Sequence, residues 1–257
     1  MPEFPINYPT NTAKNFLSHS LINKYFTEKC YDLAKKKNLP LMYSFNRRFD
    51  PGTREIYNHL KAGDLGRVQM AKQTSRDYPL PPMAYLKNTK GIYHDCAIHN
   101  IDLVTWMFGE RPLTVYTTGH AFVSEIGAMN DVDTLAICLK FPSGGIGLID
   151  ISRFACFGYD QRLEVFGNQG ALIQQNYRPT NVEFSGQDGK RTGRIYHSFT
   201  ERYAESYTIA LDHFVDVVQG KCALEITKES TLLASEIVEA CDRSLATGQA
   251  VTLPHQD

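Results

Sequence analysis

The chain has 257 residues, of which 42% are hydrophobic and 21% are charged, and its formal net charge is −1. This is the composition of an ordinary globular protein with one or two domains. It excludes a strong basic field, so neither nucleic acid nor a membrane is a predicted partner. No run reaches the roughly 18 to 20 apolar residues needed to cross a bilayer. The six cysteines are scattered and no apolar segment near the N-terminus resembles a signal peptide, so we expect a cytoplasmic protein.

The N-terminal part predicts few elements. Residues 1–20 carry no sustained apolar period and are predicted to be a disordered arm. Apolar residues recur at helical spacing from Phe26, and three lysines close the segment, so we expect a helix over residues 25–37. Residues 41–45 then have the pattern of a short buried strand.

The middle of the chain is dominated by strand patterns. Asp50 and Pro51 are typical of a helix N-cap and first position, and this helix is expected to end near residue 60. The predicted strands after it cover residues 68–74, 114–119, 132–141, 146–153 and 162–166. A turn at residues 142–145 joins two of these strands as a hairpin. Short turns between consecutive strands predict an α+β fold with an open, mainly antiparallel sheet and flanking helices.

Two apolar stripes at helical spacing follow the last strands and predict the C-terminal helices. The first stripe consists of Tyr207, Leu211, Phe214, Val215 and Val218. The second consists of Leu233, Ile237, Ala240 and Cys241. We expect both stripes to pack against the rest of the protein.

Residues 91–102, Gly-Ile-Tyr-His-Asp-Cys-Ala-Ile-His-Asn-Ile-Asp, are the main candidate for chemistry. On an α-helix, Asp95, His99 and Asp102 fall on one face. A carboxylate beside an imidazole can hold its tautomer and raise its basicity, which suits proton transfer. The same residue types also form surface ion pairs and helix caps, and together with His94 they could ligate a metal. Zinc sites favour His and Cys at repeated spacings, and no second cluster supplies partners, so no metal is predicted.

Three segments together resemble the Gfo/Idh/MocA family of oxidoreductases: residues 45–50, residues 91–102, and residues 159–167, Tyr-Asp-Gln-Arg-Leu-Glu-Val-Phe-Gly. The resemblance implies a Rossmann domain that binds NAD or NADP, followed by an α+β domain that binds a polyol or sugar. It also implies a homo-oligomer formed through the open sheet. By the family's GxxxDxxxHxxD motif, it implies that His99 assists proton transfer from the alcohol and that Asp95 contacts the substrate.

Six polar residues near strand ends are further candidates for substrate binding: Asn46, Arg47, Arg76, Asp77, Tyr159 and Arg162. The first two follow the first predicted strand, where the two domains of a family member meet, and could instead form a salt bridge at that junction. Arg76 and Asp77 follow another predicted strand. Tyr159 and Arg162 lie at the start of a third, so these four residues could line a pocket from the side of the sheet.

The sequence departs from the family in its nucleotide-binding part. It contains no Gly-x-Gly-x-x-Gly turn, and the family's Glu-Lys-Pro segment with its lysine is missing, since Glu28 and Lys29 precede Cys30 inside a predicted helix. We therefore assign no cofactor-binding residue and no catalytic lysine. We expect residues 21–46 to be a remnant of a Rossmann domain and residues 47–257 to be the substrate-binding and oligomerisation domain.

Three functions follow as alternatives. In intact form, we expect NAD(P)-dependent oxidation of a polyol or sugar hydroxyl by hydride transfer, with the activity of a truncated chain in doubt. The chain could instead be a non-catalytic module that pairs with a full-length relative. Cofactor-independent chemistry ranks last, because hydride transfer needs an acceptor that side chains do not provide. The apolar residues 39–45 favour the first alternative, since a dedicated module would not keep so apolar an edge strand.

Overall fold

The computed structural model describes residues 15–17 and 24–254. The helices are α1 (Lys24–Lys36), α2 (Pro51–Ala62), α3 (Met83–Leu86), α4 (Ile98–Phe108), α5 (Ser124–Gly127), α6 (Phe199–Arg202), α7 (Ala204–Val218) and α8 (Lys228–Thr247). The strands are β1 (Asn15–Leu17), β2 (Leu41–Tyr43), β3 (Val68–Arg76), β4 (Thr114–His120), β5 (Thr134–Lys140), β6 (Ile146–Ser152), β7 (Asp160–Gly167), β8 (Gly170–Gln174), β9 (Glu183–Gly186), β10 (Gly189–Thr192) and β11 (Val251–Thr252). A 3₁₀ turn covers Asn46–Phe49 and a π-helical turn covers Tyr93–Ala97. In the part of the chain described, no helix is long and apolar enough to span a membrane.

The N-terminal elements form a small parallel unit. Strand β1 pairs with β2 in parallel, Asn15 opposite Leu41, and α1 lies between them in sequence. Residues 15–17, which fall within the predicted arm, thus form a strand, because the edge of β2 offers backbone groups that a neighbouring strand can pair with. The rest of the predicted arm, residues 1–14 and 18–20, lies outside the described residues. The domain boundaries predicted after residues 20 and 46 stay predictions.

The main sheet has seven strands in the order β11-β4-β5-β6-β3-β7-β8. Only β3 and β6 run parallel, and the other neighbours are antiparallel. The predicted hairpin joins β5 to β6, and Gly144 in its turn has a φ of 88°, which glycine adopts without strain. The predicted α+β fold with an open, mainly antiparallel sheet is confirmed.

The two faces of this sheet have different surroundings. Alternate residues of β5, namely Leu135, Ile137 and Leu139, are buried in the core. The same core contains Val104 of α4 and Ile237 of α8, so these helices cover what we call the helix face. The opposite side, the open face, carries Tyr116 and Ile173, which are 43% and 55% exposed.

The helix ends largely follow the sequence, and the buried stripe of α7 follows it in part. Asp50 caps α2 as predicted, its Oδ2 accepting from the Thr53 amide at 3.3 Å, and Pro51 is the first residue. In α7, Ala210 and Phe214 are buried, whereas Leu211 is 54% exposed. The predicted stripe is therefore confirmed at Phe214 and at Val218, which packs against the core, and is wrong at Leu211.

Candidate functional site

The segment that carries Asp95 is a π-helical turn. Tyr93–Ala97 has this geometry and continues directly into α4, which carries His99. A π turn holds more residues than an α-helical turn, and such turns are frequent at functional sites. The prediction that Asp95, His99 and Asp102 share one face assumed α-helical spacing throughout, whereas the spacing at Asp95 is π-helical. The shared face stays a prediction.

Two strong donors hold the carboxylate of Asp95. Tyr85 Oη donates to its Oδ1 at 2.6 Å, and Arg153 Nη1 donates to its Oδ2 at 2.8 Å. The Arg153 side chain is fully buried and that of Asp95 is 8% exposed. Burial and the adjacent carboxylate raise the pKa of Tyr85, so its hydroxyl remains a donor. The charged, hydrogen-bonded carboxylate is fixed in orientation and reaches the surface at one edge.

His99 is buried on the side of α4 that faces the N-terminal unit. Its ring meets the ring of Phe45 edge-on, with 5.7 Å between the centroids. Asn46, next along the chain, donates from Nδ2 to Ser206 Oγ of α7 at 2.9 Å. The segment after β2 is thereby attached to α7 and packs against the imidazole. Asn46 thus fixes the segment that contacts His99.

Asp77 joins the same site through Cys96. The thiol of Cys96 donates to Asp77 Oδ2 at 3.4 Å, and its sulfur lies 3.7 Å from Arg153 Nη1. Burial raises the pKa of Asp77 and raises the pKa of Cys96 well above its usual value. Cys96 is therefore a protonated donor that links Asp77 to the turn carrying Asp95.

Arg47 and Tyr159 lie close to Asp77 on the helix face. Arg47 donates from Nη2 to Ser75 Oγ at 3.4 Å, and its guanidinium lies over the ring of Tyr203 at 5.5 Å. The ring of Tyr159 meets that of Tyr203 edge-on at 6.0 Å, and burial raises the pKa of Tyr159. Arg47 Nη1 is buried and has no hydrogen-bond partner among the described residues. It is a donor that a bound molecule could use.

Arg76 and Arg162 lie on the open face, away from the other candidates. Arg76 Nη2 donates to Asp150 Oδ1 at 2.8 Å, and Arg162 Nε donates to Asp160 Oδ1 at 2.8 Å. Strand alternation explains this placement: Leu163 is buried in the core, so its neighbour Arg162 points the other way. The structure therefore brings together Arg47, Asp77, Asp95 and Tyr159. Asn46 and His99 lie on the adjoining segments that Phe45 connects, and Arg76 and Arg162 lie on the other face.

The four residues considered as metal ligands point to different partners. His94 Nε2 lies 3.4 Å from Asp242 Oδ2. Asp102 forms a buried, bidentate ion pair with Arg48, at 2.9 and 2.5 Å. Within residues 15–17 and 24–254, no group of three or more His, Cys, Asp or Glu side chains is arranged to hold a metal ion.

Arg153, Tyr85 and Cys96 are site residues that sequence reasoning missed. For Arg153 a signal existed, because Ile149 and Ile151 precede it at strand spacing and are buried on the helix face. Continued alternation would turn Arg153 to that same face. Tyr85 and Cys96 had no such signal, because their contacts depend on the π turn and on chain folding outside the strands.

Comparison with known proteins identifies close relatives. The family profile described as "Oxidoreductase family, C-terminal alpha/beta domain" matches residues 58–253. The myo-inositol 2-dehydrogenase of Thermotoga maritima is 34% identical over 233 residues, which are 90% of this chain and 70% of that protein. A Bacillus subtilis relative, named scyllo-inositol 2-dehydrogenase (NAD(+)), is 28% identical over 86% of this chain and 64% of its own length.

Comparison with solved structures finds the same group of proteins. The crystal structure of a putative myo-inositol dehydrogenase from Sinorhizobium meliloti 1021 superposes with a TM-score of 0.87 at 31% identity. That match covers 90% of this chain and 71% of the other. The resemblance found in three short segments is thus confirmed over most of the chain. The chain belongs to the Gfo/Idh/MocA family of oxidoreductases.

Proposed function

We propose that this chain binds a cyclic polyol of the inositol class and takes up the hydroxyl proton when the alcohol is oxidised to a ketone, as part of an NAD(P)-dependent dehydrogenase. The observation that carries the proposal is a held carboxylate, Asp95, in the π-helical turn that leads directly into the helix of a buried imidazole, His99. The names of the relatives from T. maritima and S. meliloti supply the substrate class.

His99 is the proposed proton acceptor and Asp95 the group that orients the reacting hydroxyl. Oxidation of a secondary alcohol removes a proton from oxygen and a hydride from carbon, and imidazole is the side chain that exchanges protons near neutral pH. Each oxygen of Asp95 accepts one strong hydrogen bond from the protein. A carboxylate oxygen has a second lone pair, so Asp95 can also accept from a substrate hydroxyl.

Arg47, Asp77 and Tyr159 are the proposed partners of the other hydroxyl groups. Every hydroxyl of a polyol both donates and accepts, so its site needs both kinds of group. The unused Arg47 Nη1 is a donor, the Asp77 carboxylate is an acceptor, and the Tyr159 phenol can act as either. Asn46 supports the site through its bond to Ser206.

The residues of this chain do not fit a complete dinucleotide. A dinucleotide fold holds the pyrophosphate on a glycine-rich turn at the start of its first helix, and no Gly-x-Gly-x-x-Gly occurs in the sequence. Among the described residues, β1, α1 and β2 form one βαβ unit, where a dinucleotide fold uses two βαβαβ halves. We therefore assign these residues only to the polyol and the proton, and the hydride acceptor, NAD or NADP, is proposed from the family alone.

We also propose that two or more copies associate through the open face. This face carries exposed apolar side chains next to the Arg76 and Arg162 ion pairs, the mixture typical of an interface. Sedimentation velocity of the parent and of Ile173→Glu tests this: we expect an oligomer that the substitution dissociates. The six free cysteines support a reducing, cytoplasmic location as a further proposal.

Calorimetric titration of myo-inositol into the 257-residue chain tests the proposed substrate. We expect saturable binding that weakens by about ten-fold or more in Asp95→Asn, since a hydrogen bond to a charged group contributes roughly 1.5–3 kcal/mol. Asp216→Asn, whose exposed carboxylate pairs only with Lys221 in the contacts described, is the control and should bind like the parent. Parent chain that binds no inositol isomer would remove the proposal. Separate titration with NAD and NADP checks the cofactor, because tight binding would require a dinucleotide cradle that the described residues do not form.

A further inference from the structure

A bridge of two ion pairs spans the π-helical turn. The buried guanidinium of Arg153 donates to Asp95 from Nη1 at 2.8 Å, and its Nη2 lies 3.4 Å from Asp131 Oδ2. The other oxygen of Asp131 accepts from the backbone amides of Ile92 at 3.1 Å and of Val132 at 2.9 Å. Arg153 therefore holds the turn directly at Asp95. Through Asp131 it also holds Ile92, the residue immediately before the turn.

Gly91 makes room for this bridge. Its φ is +87°, a conformation that glycine adopts without strain. A Cβ atom at this position would lie 3.1 Å from Asp131 Oδ1, the oxygen that binds the Ile92 amide. The first residue of the Gly91 to Asp102 motif is thus explained by the approach of Asp131 rather than by contact with a substrate.

The chemistry of arginine suits the central position. A guanidinium has five donors in a fixed plane and can bind two carboxylates on different edges, whereas the ammonium of lysine is a single compact charge. The side chain of Arg153 is fully buried, so both ion pairs operate with little solvent screening. Neither carboxylate is bound as a closed bidentate pair, which leaves each free to bind further groups.

A π turn persists only where tertiary contacts offset its cost relative to the α-helix. If the turn relaxed to α-helical winding, one residue would move by about 100° around the helix axis, as follows from 3.6 residues per turn. A rotation of that size would turn the carboxylate of Asp95 away from Tyr85 and from the site. The bridge contacts Asp95 in the middle of the Tyr93–Ala97 segment and Ile92 immediately before it.

We propose that Arg153 and Asp131 are positioning residues that keep the Tyr93–Ala97 segment in its π-helical form and so present the Asp95 carboxylate to the polyol. They act through Asp95 and touch no reacting atom. The role of Asp95 toward a polyol rests on the proposed function. The hold on the turn is a property of this chain that can be measured without any substrate.

Hydrogen exchange followed by mass spectrometry or NMR on the full chain tests the hold. Asp131→Asn keeps the shape of the side chain but removes the charge that faces Arg153. We expect the amides of residues 92–97 to exchange about ten-fold faster, as for the loss of one charge-assisted hydrogen bond. Asp133→Asn is the matched control, because its carboxylate binds the Val123 amide at 2.7 Å and Thr134 Oγ1 at 2.8 Å instead. It should leave residues 92–97 at the parent rate.

The affinity for myo-inositol provides the second readout, and Arg153→Lys the second variant. We expect both Asp131→Asn and Arg153→Lys to bind about ten-fold more weakly than the parent, while Asp133→Asn binds normally. Unchanged exchange at residues 92–97 in Asp131→Asn would overturn the bridge. Faster exchange with parent-like affinity would overturn the positioning role. A parent chain without inositol binding would instead reject the proposed function, and the exchange result would still decide whether the bridge holds the turn.

Discussion

The two aspartates of the Gly91 to Asp102 motif both pair with arginine, but the two pairs differ in what they leave available. Asp102 and Arg48 are 1% and 4% exposed, and the carboxylate receives two hydrogen bonds from the same guanidinium. Asp95 instead shares its two oxygens between Arg153 and Tyr85. We call Asp102 with Arg48 the closed pair, because one guanidinium binds both carboxylate oxygens, and such a pair is suited to stabilising the fold. We call Asp95 with Arg153 the open pair, because its carboxylate keeps lone pairs for a ligand. The same residue type in one motif thus serves two purposes.

The sharpest test of the closed pair is to remove one partner. Asp102→Ala leaves the Arg48 guanidinium buried without its counter-charge, and breaking a buried ion pair in this way costs about 3–5 kcal/mol. We expect a loss of that size in the free energy of unfolding, measured by urea denaturation. Replacement of both partners, Arg48→Met with Asp102→Leu, should recover most of it, because well-packed apolar residues can replace such a pair. A loss below about 1 kcal/mol would place Asp102 with ordinary surface pairs.

Substitution in the open pair should affect ligand affinity more than stability. Asp95→Asn keeps a side chain of the same shape, and Arg153 retains Asp131 as a counter-charge. We expect a smaller loss of stability, about 1–2 kcal/mol, together with a loss of myo-inositol affinity of about ten-fold or more. Unfolding and calorimetric titration of the same preparation measure both. Equal losses of stability in Asp95→Asn and Asp102→Asn would erase the distinction between the pairs.

Local patterns in the sequence predicted most of the sheet and the position of the motif, because strand alternation and turn residues act over short distances. The placement of Arg162 could also have been predicted, since Leu163 and Val165 alternate as buried residues and the residue before Leu163 must then point to the opposite face. The bridge could not be predicted. Arg153 lies 58 residues from Asp95, and only the folded chain brings these charges together around a π turn that has no local signature.

The stability costs of alanine at Gly91 and at Gly63 can be compared to measure how much the bridge depends on the space beside Gly91. Gly91 and Gly63 have nearly equal φ values of +87° and +84°, but a Cβ at Gly63 would meet no atom within 4 Å. Substitution by alanine costs about 1 kcal/mol at either position for the backbone conformation alone. We expect Gly91→Ala to cost roughly a further 1 kcal/mol, because the new methyl group displaces Asp131. Thermal unfolding of the two variants measures the difference, and equal losses would show that Asp131 moves aside freely.

The smallest expected effect concerns pH, and it compares Asp77 beside the open pair with Asp160 on the open face. Burial raises the pKa of Asp77, so the folded state binds more protons than the unfolded state above the usual aspartate pKa, near about pH 4. The contribution of Asp77 to stability therefore falls as pH rises from there. Burial acts in the same direction on Asp160, but hydrogen bonds from Arg162 and Asn176 lower its pKa overall. Its contribution is present at neutral pH and is lost on acidification.

Asn variants at these two positions should accordingly show opposite trends. The stability of Asp77→Asn relative to the parent should rise between about pH 4 and about pH 7, because asparagine does not carry the buried charge. The stability of Asp160→Asn relative to the parent should fall as the pH rises toward about 4 and stay level above it, because the variant lacks the carboxylate that binds Arg162. Urea denaturation at a series of pH values gives both slopes. Slopes of the same sign would mean that Asp77 is held as a paired carboxylate whose pKa burial does not raise.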